Sequence, residues 1–145
     1  MSARKLELTH KRKRVVLVST PGLVQQATRS TLASCPEADL IAVASGALSA
    51  TKVLSQVQPD LLLIDANLPA EETEALLGWV KEHCQSVQCA VMTVTSQQRD
   101  QALTWGADIA IHRAGLADQL PPALRRLPAF RLPAMPSLET GESFQ

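Results

Sequence analysis

The segment Leu61-Leu62-Leu63-Ile64-Asp65-Ala66-Asn67-Leu68-Pro69 decides how the chain is read. Four consecutive apolar residues run into one carboxylate, and the chain then turns at Asn-Leu-Pro. The run is far too short to cross a membrane, and Pro59 and Pro69 bound it. Such a run reads as a strand buried on both faces, as in a parallel sheet. Open parallel sheets bind ligands at the carboxyl ends of their strands. Asp65 therefore stands where such a sheet would do its chemistry. The plainer alternative is a carboxylate that only starts a turn.

Strand-like and helix-like segments alternate on either side of this run. Strands are expected at residues 15–19, 39–44, 61–65, 89–95 and 107–112. Helices are expected at residues 23–34, 47–57, 73–84 (with Thr73 as cap) and 97–105, the last stopped by Gly106. In a final helix, Pro121 and Pro122 are tolerated if Asp118 is the cap, because first-turn N–H groups have no helical partner. Parallel strands need crossover connections. Five βα units therefore predict a flavodoxin-like, doubly wound, five-stranded parallel sheet with helices on both faces.

Composition narrows the function classes. The 145 residues suit one domain plus tails, with 46% hydrophobic and 19% charged residues, and the formal net charge is zero. No bulk attraction to nucleic acid or membrane follows from that balance. The charge is uneven: Arg4, Lys5, Lys11, Arg12, Lys13 and Arg14 face the single acid Glu7. Residues 1–13 read as a solvated basic arm, residues 14–127 as the domain, and residues 128–145 as a proline-rich, disordered or extended tail. Cys35, Cys84 and Cys89 lack metal-ligand spacing and read as reduced thiols of a cytoplasmic protein. His10, His83 and His112 are too scattered for a metal site. Trp79 and Trp105 read as packing residues. The turn Thr20-Pro21-Gly22 lacks the glycines of a nucleotide-binding loop.

Three pieces of sequence carry a resemblance to a known family: Pro59-Asp60 through Pro69, Trp105-Gly106-Ala107-Asp108, and Val91-Met92-Thr93. Over about residues 14–127 the chain resembles the receiver domain of two-component response regulators. The resemblance implies that Asp65 is the phosphoacceptor and that Thr93 hydrogen-bonds the phosphoryl group. It places Arg113 where the family has a lysine. It also implies a non-enzymatic phosphorelay protein that meets a histidine kinase or another signalling protein, with partner binding and homodimer formation through residues 97–127.

The chain departs from the family pattern in three places. The acidic pair that holds Mg²⁺ falls on Ser19 and Thr20, both neutral; the lysine becomes Arg113, beside His112; and the strand-five aromatic becomes Ala110. A site with one carboxylate binds Mg²⁺ weakly at most, since divalent affinity follows ligand charge, so no cofactor is expected. Arginine binds phosphate well but does not replace a bridging metal. No DNA-binding helix-turn-helix is expected after Leu127, and nucleic acid is not an expected partner. Two readings follow: a stand-alone receiver-like phosphorelay protein with Asp65 as nominal phosphoacceptor, or a pseudo-receiver that binds proteins without phosphate chemistry. A flavodoxin-type small-molecule binder is a third.

Overall fold

The computed structural model describes residues 12–128. Its elements are β1 (Lys13–Val18), α1 (Leu23–Ala33), β2 (Ala38–Ala44), α2 (Ala47–Leu54), β3 (Leu61–Ile64), α3 (Ala70–His83), β4 (Gln88–Thr93), α4 (Ser96–Thr104), β5 (Ile109–His112), a 3₁₀ turn (Arg113–Gly115) and α5 (Leu116–Arg126). The strands form one sheet in the order β2-β1-β3-β4-β5, with every pairing parallel. The five expected strands and five expected helices are all present.

The central strand β3 explains the two layers of helix. Alternate side chains of a strand point to opposite faces. Leu61 and Leu63 join one core with Val15, Leu17, Ile111, Leu32 of α1 and Leu116, Leu120 and Leu124 of α5. Leu62 and Ile64 join the other, with Val16, Val18, Leu54 of α2, Leu76, Leu77 and Val80 of α3 and Ala102 of α4. All four β3 side chains are fully buried. Each contributes roughly 1.5–3 kcal/mol of transfer free energy.

Two aspartates of the sequence motifs close the opposite, amino-terminal edge of the sheet. Asp60 accepts from the Arg14 N–H at 2.8 Å while its own N–H donates to the Arg14 carbonyl at 2.9 Å. Asp108 repeats the device with Cys89, at 2.8 and 2.9 Å. Gly106 is required in its turn: its φ is +111°, and the Lys81 side chain lies where a Cβ would stand.

Several boundaries differ from expectation. Thr73 is not a cap. Pro69 caps α3, which starts at Ala70, and Thr73 is buried within the helix. Proline loses no helical bond at that position, and Glu71 and Glu72 in the first turn complement the helix dipole. Asp118 is not a cap either. Gly115 holds that place, and Pro121 and Pro122 lie inside α5. The helix persists because Leu116, Leu120, Ala123 and Leu124 form one buried stripe; tertiary packing outweighs two missing backbone donors. Thr95 ends no strand but caps α4, accepting from the Gln98 N–H at 3.1 Å. Lys13 belongs to β1, paired with Ala38 and largely buried, rather than to a solvated flank. Arg12 reaches the Ala38 carbonyl at 3.1 Å and Asp39 at 3.7 Å. The rest of the basic arm and nearly all of the proline-rich tail lie outside the described residues. Trp79 and Trp105 pack against the core, as expected.

Glu72 supplies a contact that no local pattern announces. Its Oε1 accepts from the Ala47 N–H at 2.9 Å, so α3 caps the start of α2. Glu72→Ala is expected to lower stability by about 1 kcal/mol, within the range of a lost cap. Urea unfolding would check this, and an unchanged midpoint would remove the contact from the account.

All three cysteines are free thiols. Burial, and next the Asp108 carboxylate, push the Cys89 thiol up to about 12 from an ordinary 9.0. A raised folded value means that the native state keeps its proton while the unfolded chain loses it. The associated stability is fully present below pH 9 and is lost as pH rises from 9 to 12. Cys89→Ala is expected to flatten stability against pH in that window, as followed by denaturant midpoints.

Candidate functional site

Strand order fixes where a site forms. The chain goes from β1 outward to β2 and returns to β3 on the other side of β1. The carboxyl ends of β1 and β3 thus flank the switch point, where such sheets open a crevice. Val18 pairs with Ile64, which sets Ser19 opposite Asp65.

The Asp65 side chain is 0% exposed. A buried carboxylate is tolerable only when its oxygens are paired, and here both are. Oδ2 accepts from the Ser19 hydroxyl at 2.9 Å and from the Thr28 hydroxyl at 2.7 Å. Oδ1 accepts from the Ala66 N–H at 2.8 Å and lies 3.5 Å from Arg113 Nε.

Proton counting orders this network. Thr28 has one hydroxyl proton and two acceptors in reach, Asp65 Oδ2 and the Val24 carbonyl at 3.0 Å. A charged acceptor makes the stronger bond, so the proton goes to Asp65. The Thr28 oxygen then accepts from Arg113 Nη2 at 3.4 Å, and the same nitrogen donates to the Val24 carbonyl at 3.1 Å. Arg113 thus reaches one oxygen of Asp65 directly and the other through Thr28. Its Nε is buried without a hydrogen-bond partner, so its contact with Asp65 is one of charge.

Asn67 clasps the neighbouring loop. Its Oδ1 accepts from the Thr20 N–H and its Nδ2 donates to the Thr20 carbonyl, both at 3.1 Å. Gln25 holds the Ser19 carbonyl at 2.7 Å. Ser19 is fully buried and Thr20 is exposed. Neither brings a negative charge, and no cluster of three metal-ligating side chains occurs among the described residues. The residues present do not fit a tight Mg²⁺ site.

Thr93 ends β4 and lines a small cavity together with Asp65, without bonding to it. It pairs in register with His112, whose Nδ1 accepts from the Ala114 N–H at 3.1 Å. Ala110 pairs with Val91 and brings no ring to this edge. The structure therefore gathers Asp65, Ser19, Thr20, Thr93 and Arg113 at one end of the sheet, and binds Asp65 to Ser19 and Arg113. Sequence reasoning missed Thr28 and the clasping role of Asn67. Thr28 left a signal, because Val24, Thr28 and Leu32 share a helical stripe on which a threonine is out of place.

Comparison with solved structures agrees with this topology. The signal receiver domain of NarL from Mycobacterium tuberculosis superposes with a TM-score of 0.68 at 16% identity, covering 79% of this chain and 94% of that one. The fold is that of a receiver domain. The response regulator domain of Thermotoga maritima CheB gives a TM-score of 0.68 at 16% identity, covering 80% and 96%. The Salmonella typhimurium response regulator RcsB gives 0.66 at 17% identity, covering 79% of this chain. The chain spans 58% of that RcsB chain's length. No protein-family model and no curated protein matches the sequence.

Within this receiver fold, no helix of the described residues is long and apolar enough to cross a membrane. The network around Asp65 makes a stability prediction. Thr28→Val removes a donor to a buried carboxylate and is expected to cost about 1–3 kcal/mol. In a double-mutant cycle, Arg113→Met and Asp65→Asn are expected to couple by about 1 kcal/mol or more, since each single change strands a partner. Additive effects in urea unfolding would remove the ion pair as a stabilising element.

Proposed function

We propose that this chain is a receiver-fold signalling module that works by protein contact, with Asp65 serving as a structural anion rather than as a phosphoacceptor. One observation carries the reading: both oxygens of Asp65 are engaged, by two hydroxyls, one backbone N–H and the Arg113 guanidinium, and its side chain is sealed from solvent. A nucleophilic carboxylate needs an oxygen presented to the incoming phosphorus atom, and phosphoryl transfer depends on positioning and charge neutralisation. In this chain Ser19 spends its hydroxyl on the carboxylate at the place where the receiver pattern has an acid that holds Mg²⁺.

A second reading keeps Asp65 as phosphoacceptor of a phosphorelay. It is favoured by Arg113, a phosphate-binding cation beside the carboxylate, and by the Thr93 hydroxyl at the same sheet edge. The receiver domain of Salmonella RcsB has been solved with the phosphomimetic BeF₃⁻, but that chain is only 17% identical to this one. On either reading the partners are proteins, and the surface of α4, β5 and α5 is proposed to meet them, including in a homodimer. Other RcsB structures contain DNA, whereas the described part of this chain supplies no further domain to contact it.

Treatment with acetyl phosphate and Mg²⁺ separates the readings. Intact-mass measurement is expected to show no phosphoryl adduct, and Mg²⁺ titration to show binding in the millimolar range or weaker. Ser19→Asp with Thr20→Asp is expected to tighten Mg²⁺ by about tenfold or more, because two carboxylates join the site. A stoichiometric adduct in the natural sequence, absent in Asp65→Asn, would establish the phosphoacceptor reading instead.

A further inference from the structure

The turns after β1 and β3 bring several oxygen acceptors together. They are Asp65 Oδ2, the side-chain Oδ1 and main-chain carbonyl of Asn67, and the Ser19 carbonyl. Carboxylate, carboxamide and main-chain oxygens are the ligands that hard divalent cations take. Each of these oxygens, however, already holds a proton donor. Asp65 Oδ2 accepts from the Ser19 hydroxyl at 2.9 Å and from the Thr28 hydroxyl at 2.7 Å. The Asn67 carbonyl accepts from the Thr20 hydroxyl at 3.3 Å, and its Oδ1 from the Thr20 N–H at 3.1 Å. The Ser19 carbonyl accepts from Gln25 Nε2 at 2.7 Å.

A divalent cation in such a crevice would do two things. It would neutralise the carboxylate, and it would draw oxygens of separate turns together. Here other groups do both. The Arg113 guanidinium, with Nε 3.5 Å from Asp65 Oδ1, brings the positive charge. Neutral hydroxyls and amides make the links between the turns. The Ser19 oxygen also lies 3.3 Å from Asn67 Oδ1, but its single proton goes to the charged acceptor. A carboxylate oxygen offers two lone-pair sites, and Ser19 and Thr28 take both on Oδ2. An entering cation must therefore displace a hydroxyl before it gains that ligand, at the cost of the hydrogen bond it breaks.

We propose that the Ser19, Thr20 and Thr28 hydroxyls stand in for a divalent cation, joining the turns after β1 and β3 in an arrangement that forms without metal. The proposal rests on the reading of Asp65 as a structural anion. It adds that Mg²⁺ is kept out by the donors seated on these oxygens, and not only by the shortage of carboxylates. The test therefore removes donors and adds no charge. Ser19→Ala with Thr20→Ala opens one lone-pair site on Asp65 Oδ2 and frees the Asn67 carbonyl. In a ¹H–¹⁵N titration of the full chain at constant ionic strength, Mg²⁺ is expected to move the Ala66 and Asn67 amide signals of this variant. It is expected to bind about fivefold or more tightly than to the natural sequence, on the order of one or two hydrogen bonds no longer displaced. Thr20→Ser keeps the hydroxyl and is expected to bind Mg²⁺ as the natural sequence does. Ser19 is fully buried, so retained shift dispersion must show that the double variant is folded. Thr20 is exposed, so Thr20→Ala alone is expected to fold and to tighten Mg²⁺ about twofold, which carries the test should the double variant unfold. Equal or weaker Mg²⁺ binding in the folded variant would overturn the proposal, since the hydroxyls would then be bystanders or ligands themselves. The underlying reading fails by a different signal: a phosphoryl adduct on Asp65 of the natural sequence after acetyl phosphate treatment, which would overturn both.

Discussion

Burial of β3 on both faces is the constraint from which the rest follows. Four large apolar side chains cannot face water on either side of the sheet, so helices must cover both. The chain supplies four of them as crossovers, α1 on one side and α2, α3 and α4 on the other, and α5, which follows the last strand, joins α1. The strand then delivers a carboxylate to the switch point with no solvent around it. Everything nearby is arranged to make that carboxylate tolerable: hydroxyls from β1's end and from α1, a backbone N–H, and a guanidinium from the turn after β5.

This arrangement has a mechanical side. Asp65 is the common partner of groups from four parts of the chain, so its charge ties α1 and the β5–α5 turn to the centre of the sheet. Arg113 adds its bond to the Val24 carbonyl. Ion pairs at this depth contribute little net stability compared with an apolar replacement, but removing one member is costly. The network is thus better regarded as specifying which elements meet than as a large source of free energy.

The fold was legible because its signals are local and redundant. Leu61–Ile64 announces a central strand, and the alternation around it leaves few other topologies. The site was legible in part. Asp65, Ser19, Thr20, Thr93 and Arg113 follow strand ends, and strand ends in a parallel sheet converge. Thr28 was not, because a helix residue reaches the crevice only through the angle at which α1 packs. The caps misled for a related reason. Thr73 and Asp118 have the chemistry of caps, but Pro69 and Gly115 already begin those helices, and the buried stripe of α5 carries it across two prolines. Asp60 and Asp108 were legible as motif residues, yet their role is to close strand pairs at the edge of the sheet remote from Asp65.

The two flanks of the sheet differ in what they demand of the sequence. Helix α3 buries Thr73, Leu76, Leu77 and Val80. Helix α4 buries only Ala102 of its nine residues, and its cap is made from its own side chains, Thr95 and Gln98. Its other positions are exposed. Substitution on its outward side leaves the buried core untouched, so this is where a chain of this architecture is freest to vary while remaining the same folded object.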